Sequence, residues 1–148
     1  MVVIDTDVFM LEFAFHRHSR FDANSRFLQD ARGQSPSITL HNLMEILGQL
    51  SFNLQPERLA QWRSWLQEAF DLTVLWPEEE GADAAEFFRR EIHAQPLARM
   101  LAHRLSFHDA LILGVAERAP GVTAFVTWNA KHFRGKTPLS VLTPAEYA

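Results

Sequence analysis

Five short apolar runs with helical patterns between them constrain this chain more than any other feature. The runs cover residues 2–5 (VVID), 38–40 (ITL), 72–75 (LTVL), 124–127 (AFVT) and 140–142 (SVL), and their content of β-branched residues marks them as strands. Between them, Leu43, Ile46, Leu47 and Leu50 recur at helical spacing. After Pro56, a residue suited to a first helical turn, Leu59, Trp62, Leu66 and Phe70 do the same, and 81–92 adds another helix candidate. Strands separated by helices pair in parallel through right-handed crossovers, so the expected fold is α/β, with three α/β/α layers around a short central parallel sheet. At 148 residues and 47% hydrophobic content, without an internal repeat, one domain over 1–148 suffices to bury a full core. The acids Glu78, Glu79 and Glu80 in the turn from Pro77 to Gly81 read as a solvated connection.

Several classes drop out. Without cysteine there are no disulfides, iron–sulfur clusters or thiolate zinc sites, which suits a reducing compartment. No apolar run approaches the roughly 20 residues of a membrane helix, and the N-terminus lacks a signal peptide's basic region, so the expectation is a cytoplasmic protein without a membrane partner. A net charge of −4 argues against binding nucleic acid through a general basic field. Any such substrate needs a local attraction.

That requirement directs attention to the acids. In open parallel sheets, ligands gather at the carboxyl ends of strands, and Asp5 and Asp7 follow the first strand at such an end. One of them is explained as the N-cap of the next helix, and the second is not. In SFHDALILGVAE, residues 106–117, apolar residues surround the helix, which predicts burial and a desolvated Asp109. Ser106 followed by Asp109 equally fits a capping box, so both readings stand. Glu45 lies off the Leu43, Leu47 and Leu50 stripe, and periodicity turns it toward solvent, although it follows a strand end by one helical turn. Thr127 and Asn129 come directly after the fourth strand, with Asn129 placed to cap a short helix.

Taken in order, Asp5-Thr6-Asp7, Glu45 in NLMEIL, Asp109 in LSFHDALILGVAE and the stretch VTWNAKHF at 126–133 resemble the PIN-domain ribonucleases, especially the VapC-type toxins of bacterial toxin–antitoxin systems. The resemblance spans nearly the whole chain, and its specificity lies in the ordered combination. It implies a compact α/β/α domain whose acids converge at one end of the sheet, bind Mg²⁺ or Mn²⁺ and hydrolyse RNA. Asp5, Glu45 and Asp109 take the acidic positions, as catalytic residues and metal ligands. Thr127 and Asn129 fill the last motif, Asn129 as a further catalytic residue and Thr127 in support together with Asp7 and His132. Asp7 stands where the family often has Asn. Asn129 stands where many members have a fourth acid, and its uncharged oxygen would weaken a second metal site or act only by orienting water. The resemblance also implies an antitoxin protein as partner.

Electrostatics gives such convergence a reason. Carboxylates about 4 Å apart repel by about 4 kcal/mol per pair at an effective dielectric near 20, and a divalent cation relieves this. Oxygen ligands select hard ions, which activate water for in-line attack on a phosphodiester and reverse the local sign of an acidic site. Lys131, Arg134 and Lys136 are candidates to hold neighbouring phosphates, though each also reads as ordinary surface charge. No histidine pair has H-E-x-x-H spacing; His132 alone lies beside the candidate site. Trp62 and Trp65, with Leu59 and Leu66, read as core or as part of a homodimer surface. Two rivals remain. A haloacid-dehalogenase-type phosphatase also begins with a strand and D-x-D, but here Val8-Phe9 follow and no later paired acids appear. A PIN-like module that binds RNA or protein without cleaving is kept open by Asn129.

Overall fold

Alternation along the first strand sets up two cores. In the computed structural model, which describes residues 1–78, 81 and 83–147, Val2 and Ile4 of β1 (Val2–Ile4) join one buried cluster and Val3 joins another. The first cluster includes Phe9, Phe27, Ile38, Leu43, Ile46 and Val126; the second includes Ile112, Leu113, Phe125, Phe133 and Val141. A strand buried on both faces is what a parallel sheet between helical layers requires, and it explains the unbroken apolar run.

The chain continues through α1 (Thr6–Ala14), α2 (Phe21–Ala31), β2 (Ser37–Thr39), α3 (Leu40–Leu50), α4 (Pro56–Phe70) and β3 (Thr73–Leu75). There follow α5 (Ala84–Arg89), a π-turn at Arg90–Ala94, α6 (Gln95–His103), α7 (Phe107–Arg118), β4 (Ala124–Val126), α8 (Ala130–Phe133), β5 (Ser140–Leu142) and α9 (Pro144–Tyr147). All strand pairs are parallel, in the order β3-β2-β1-β4-β5. The first half of the chain therefore builds outward on one side of β1, and the second half on the other. The strand order reverses at β1, which opens a crevice at its carboxyl end between β2 and β4.

The expected α/β architecture with its short parallel sheet is observed, with differences at the edges. Four strands end or begin within one residue of the sequence expectation, and β5 coincides with it. The helix expected from 81 begins at Ala84, where Asp83 accepts a hydrogen bond from the Glu86 amide at 2.8 Å. Three helices were hidden, α2, α6 and the short α9. The apolar positions of α2 fall mainly in its second half, at Phe27, Leu28 and Ala31. Pro96 occupies the first turn of α6, where a missing N–H costs nothing. Trp62 and Trp65 divide their expected roles. Trp62 packs edge-on against Phe13 at 4.9 Å, whereas Trp65 stays 46% exposed beside the buried Leu66. Of the acid run, Glu78 is exposed, and Glu79 and Glu80 lie outside the described residues. No helix among the described residues is long and apolar enough to cross a membrane.

Phe9 is fully buried and meets Phe13 and Phe70 at ring distances of 6.3 and 5.6 Å. Replacing it with alanine should lower the unfolding free energy by about 3–5 kcal/mol, read as a shifted urea midpoint.

Candidate active site

The two acids after β1 do different work. Asp5 has extended backbone, which ends the strand, and its Oδ1 accepts from the Thr6 amide at 2.8 Å as the N-cap of α1. Asp7, two residues on, faces the loop after β4. Its carboxylate accepts from Thr127 Oγ1 at 3.0 Å, from the Trp128 amide at 3.2 Å and from the Asn129 amide at 3.1 Å. Thr127 Oγ1 in turn accepts from the Asn129 amide, closing a small hydrogen-bonded ring at the carboxyl ends of the two central strands. Burial pushes the Asp5 carboxyl up to about 8, with the charge of Asp7 adding to the effect. Burial raises Asp7 as well, against the pull of its donors.

Asn42, which the sequence did not single out, ties α3 to this pair. It is fully buried, donates from Nδ2 to Asp5 Oδ1 at 3.0 Å and to Thr6 Oγ1 at 3.2 Å, and accepts from Thr39 Oγ1 at 2.6 Å. Thr39 caps α3 by accepting from the Asn42 amide, so one short T-x-x-N stretch both starts the helix and reaches the site. That spacing is the available sequence signal.

Glu45, expected to face solvent, is half-buried. Its Oε2 lies 3.4 Å from His108 Nε2, without good hydrogen-bond angles. The imidazole holds the Glu45 carboxyl below its usual range, and the carboxylate raises His108 in return. Asp109 is also half-buried rather than fully desolvated. Ser106 Oγ accepts from the Asp109 amide at 3.1 Å, which is half of a capping box. The other half is missing, because Oδ2 of Asp109 instead sits 3.3 Å from His132 Nε2. Asn129 occupies the cap position of α8 but makes no side-chain cap bond, and it is exposed.

Asp5, Asp7, Glu45, Asp109 and Asn129 line a single cleft of about 250 Å³, together with Thr6, Met10, Gln49 and Phe133. No lysine or arginine among the described residues lines it. Of the basic residues after Asn129, Arg134 bonds Glu146 at 2.5 Å, Lys136 reaches the carbonyl of Arg104 at 3.4 Å, and Lys131 is exposed outside the cleft. Arg134 is thus already partnered by a carboxylate. As the side chains stand, no three acidic or histidine groups among the described residues are close enough to share one ion. The chemistry of the lining nevertheless fits a hard divalent cation. Its donors are oxygens, and the buried Asp5 carboxyl faces another acid in a cleft that no basic side chain among the described residues lines.

No protein-family model matches the sequence, and no curated protein sequence matches it. Solved structures do match. The chain superposes on a chain of a toxin–antitoxin complex from Klebsiella pneumoniae with a TM-score of 0.63 at 19% identity, covering 99% of each. It is similar to a chain of FitAcB from Neisseria gonorrhoeae, with a TM-score of 0.67 at 15% identity over 97% of this chain and 98% of that one. For VapBC2 from Rickettsia felis, bound to a DNA fragment from their promoter, the values are 0.64 and 18% over the same shares. The chain has the PIN fold. Within that fold the acidic cleft occupies the reversal point of the sheet.

Two outcomes follow for this PIN-fold site. Thr127→Val removes both bonds of the hydroxyl and leaves buried Asp7 short of a donor, so stability should fall by about 1–3 kcal/mol in chemical denaturation. For Asp5 the folded carboxyl titrates above its unfolded value of 3.8, so the folded state binds the extra proton. Its contribution is full below about 3.8 and is lost as pH rises to about 8. In EDTA, Asp5→Asn should therefore flatten the pH dependence of Tm across that window and melt higher than the parent protein at its alkaline end.

Proposed function

We propose that the protein is a Mg²⁺- or Mn²⁺-dependent endoribonuclease that hydrolyses RNA phosphodiesters, the toxin member of a toxin–antitoxin pair. The observation that carries this reading is the gathering of four carboxylates from β1–α1, α3 and α7 in one cleft with an uncompensated, buried Asp5. Toxin–antitoxin complexes among the structures sharing the fold support the partner class, with a cognate antitoxin and a homodimer as the expected assemblies. The cytoplasm is the expected compartment.

Asp5, Glu45 and Asp109 are the residues that would hold the ion. What the ion supplies when bound is polarisation of a phosphate oxygen, a lowered pKa for water and a local reversal of charge in an acidic protein. The chain's own groups do the rest. Asn42 fixes the Asp5 carboxyl group through its Nδ2 bond, and Asp7 fixes the backbone that carries Asn129. Asn129 contributes an uncharged amide that can bond substrate or water without adding to the repulsion among the acids. His132 and His108 steady Asp109 and Glu45.

Purified protein should cut single-stranded RNA in Mn²⁺ and fail to do so in EDTA. Asp5→Asn and Asp109→Asn should each reduce the rate by about 100-fold or more while their circular dichroism spectra stay unchanged. RNA binding without cleavage by the parent protein would assign a non-cleaving module, and phosphate release from p-nitrophenyl phosphate would assign a phosphatase.

A further inference from the structure

A second cleft, of about 550 Å³, adjoins the acidic one and shares Asp7, Met10 and Asn129 with it as walls. Its other lining is of a different kind: Leu11, Trp128, Phe15, Arg20 and His18. Trp128 directly precedes Asn129, so its indole stands one residue from the acidic cleft. The ring is fixed. Its Nε1 donates to Asn24 Oδ1 at 2.7 Å, and Asn24 is fully buried, with its own amide donating to the Val8 carbonyl and to Glu12. The Arg20 guanidinium lies over the indole at 5.1 Å from its centre. Phe15 leaves 56% of its surface in water at the same cleft.

We propose that Trp128 is a stacking platform for one unpaired nucleobase of single-stranded RNA, next to the phosphate that enters the acidic cleft, with Arg20 and His18 meeting the adjoining backbone. The inference rests on the ribonuclease reading above and assigns a subsite to that same substrate. An aromatic face beside cations is the arrangement that holds single strands, because every base has a π-face and every nucleotide a phosphate. Arg20 lies outside an acidic cleft that lacks basic lining, so it can supply the local attraction that the net charge of −4 withholds. A side chain already anchored through its indole N–H loses little freedom on binding, which favours affinity.

The test uses the full chain and a fluorescein-labelled, eight-nucleotide single-stranded RNA, with a set of strands in which each nucleotide in turn is made abasic. Binding is followed by anisotropy in EDTA and cleavage by gel in Mn²⁺. For the parent protein, one abasic position should weaken binding by roughly five- to tenfold. Trp128→Ala should bind the intact strand correspondingly less well and lose the penalty at that position, whereas Trp128→Phe should retain it. Arg20→Gln, at an exposed site, should lower the slope of log affinity against log salt by about one. A penalty of equal size in Trp128→Ala and the parent, or none at any position, overturns the platform. RNA binding unchanged by both Trp128→Ala and Arg20→Gln also overturns it, and leaves a protein segment as the occupant. Absence of cleavage by the parent protein in Mn²⁺ strikes the ribonuclease reading alone, because the abasic penalty is read without catalysis.

Discussion

The carboxylate of Asp7 holds the site together. Two backbone amides and a hydroxyl from residues 127–129 converge on it, joining the carboxyl ends of β1 and β4 across the middle of the sheet. Desolvating a carboxylate is costly, and three donors offset that cost, each such charged hydrogen bond contributing about 1.5–3 kcal/mol. The loop that carries Trp128 and Asn129 is thereby fixed without any regular structure of its own. Asp5 can then stand exposed to other acids, because the backbone around it is held by its neighbour.

Charge is distributed unevenly in the cleft. At the periphery, Glu45 and Asp109 each lean on an imidazole, one from α7 and one from α8. At the centre, the Thr6 amide and the Asn42 side chain are the donors to Asp5 among the described residues, and burial, with the charge of Asp7, raises its carboxyl against them. A protein selected only for stability would place an amide or an apolar residue there. A buried acid without a counter-charge, in a crevice where a parallel sheet collects ligands, is a strained arrangement of the kind found at functional positions.

Much of this was legible in the chain. The unbroken Val2, Val3 and Ile4 run, and four others like it, gave the parallel sheet, and the two acids after the first run lie in the acidic cleft at its carboxyl edge. The misreadings share a cause, since local pattern does not report what approaches from another element. Periodicity turned Glu45 outward because it cannot show His108 arriving from α7. Ser106 and Asp109 fitted a reciprocal cap, but His132 from α8 took the carboxylate. Asn42 looked like one more polar residue on α3, and only the packing of α3 beside α1 brings it to Asp5.

The strand order has a consequence for how the molecule is made. β1 is synthesised well before its partner β4 and is central in the sheet, where their pairing joins Val2 to Ala124. Until that distant segment is synthesised, one edge of β1 stays open and the Asp7 carboxylate has none of its three donors. Such long-range closure is slow, and the waiting edge is sticky. It also means that a nascent chain carries no assembled crevice until β4 and residues 127–129 have emerged, so any activity that resides there waits for that segment.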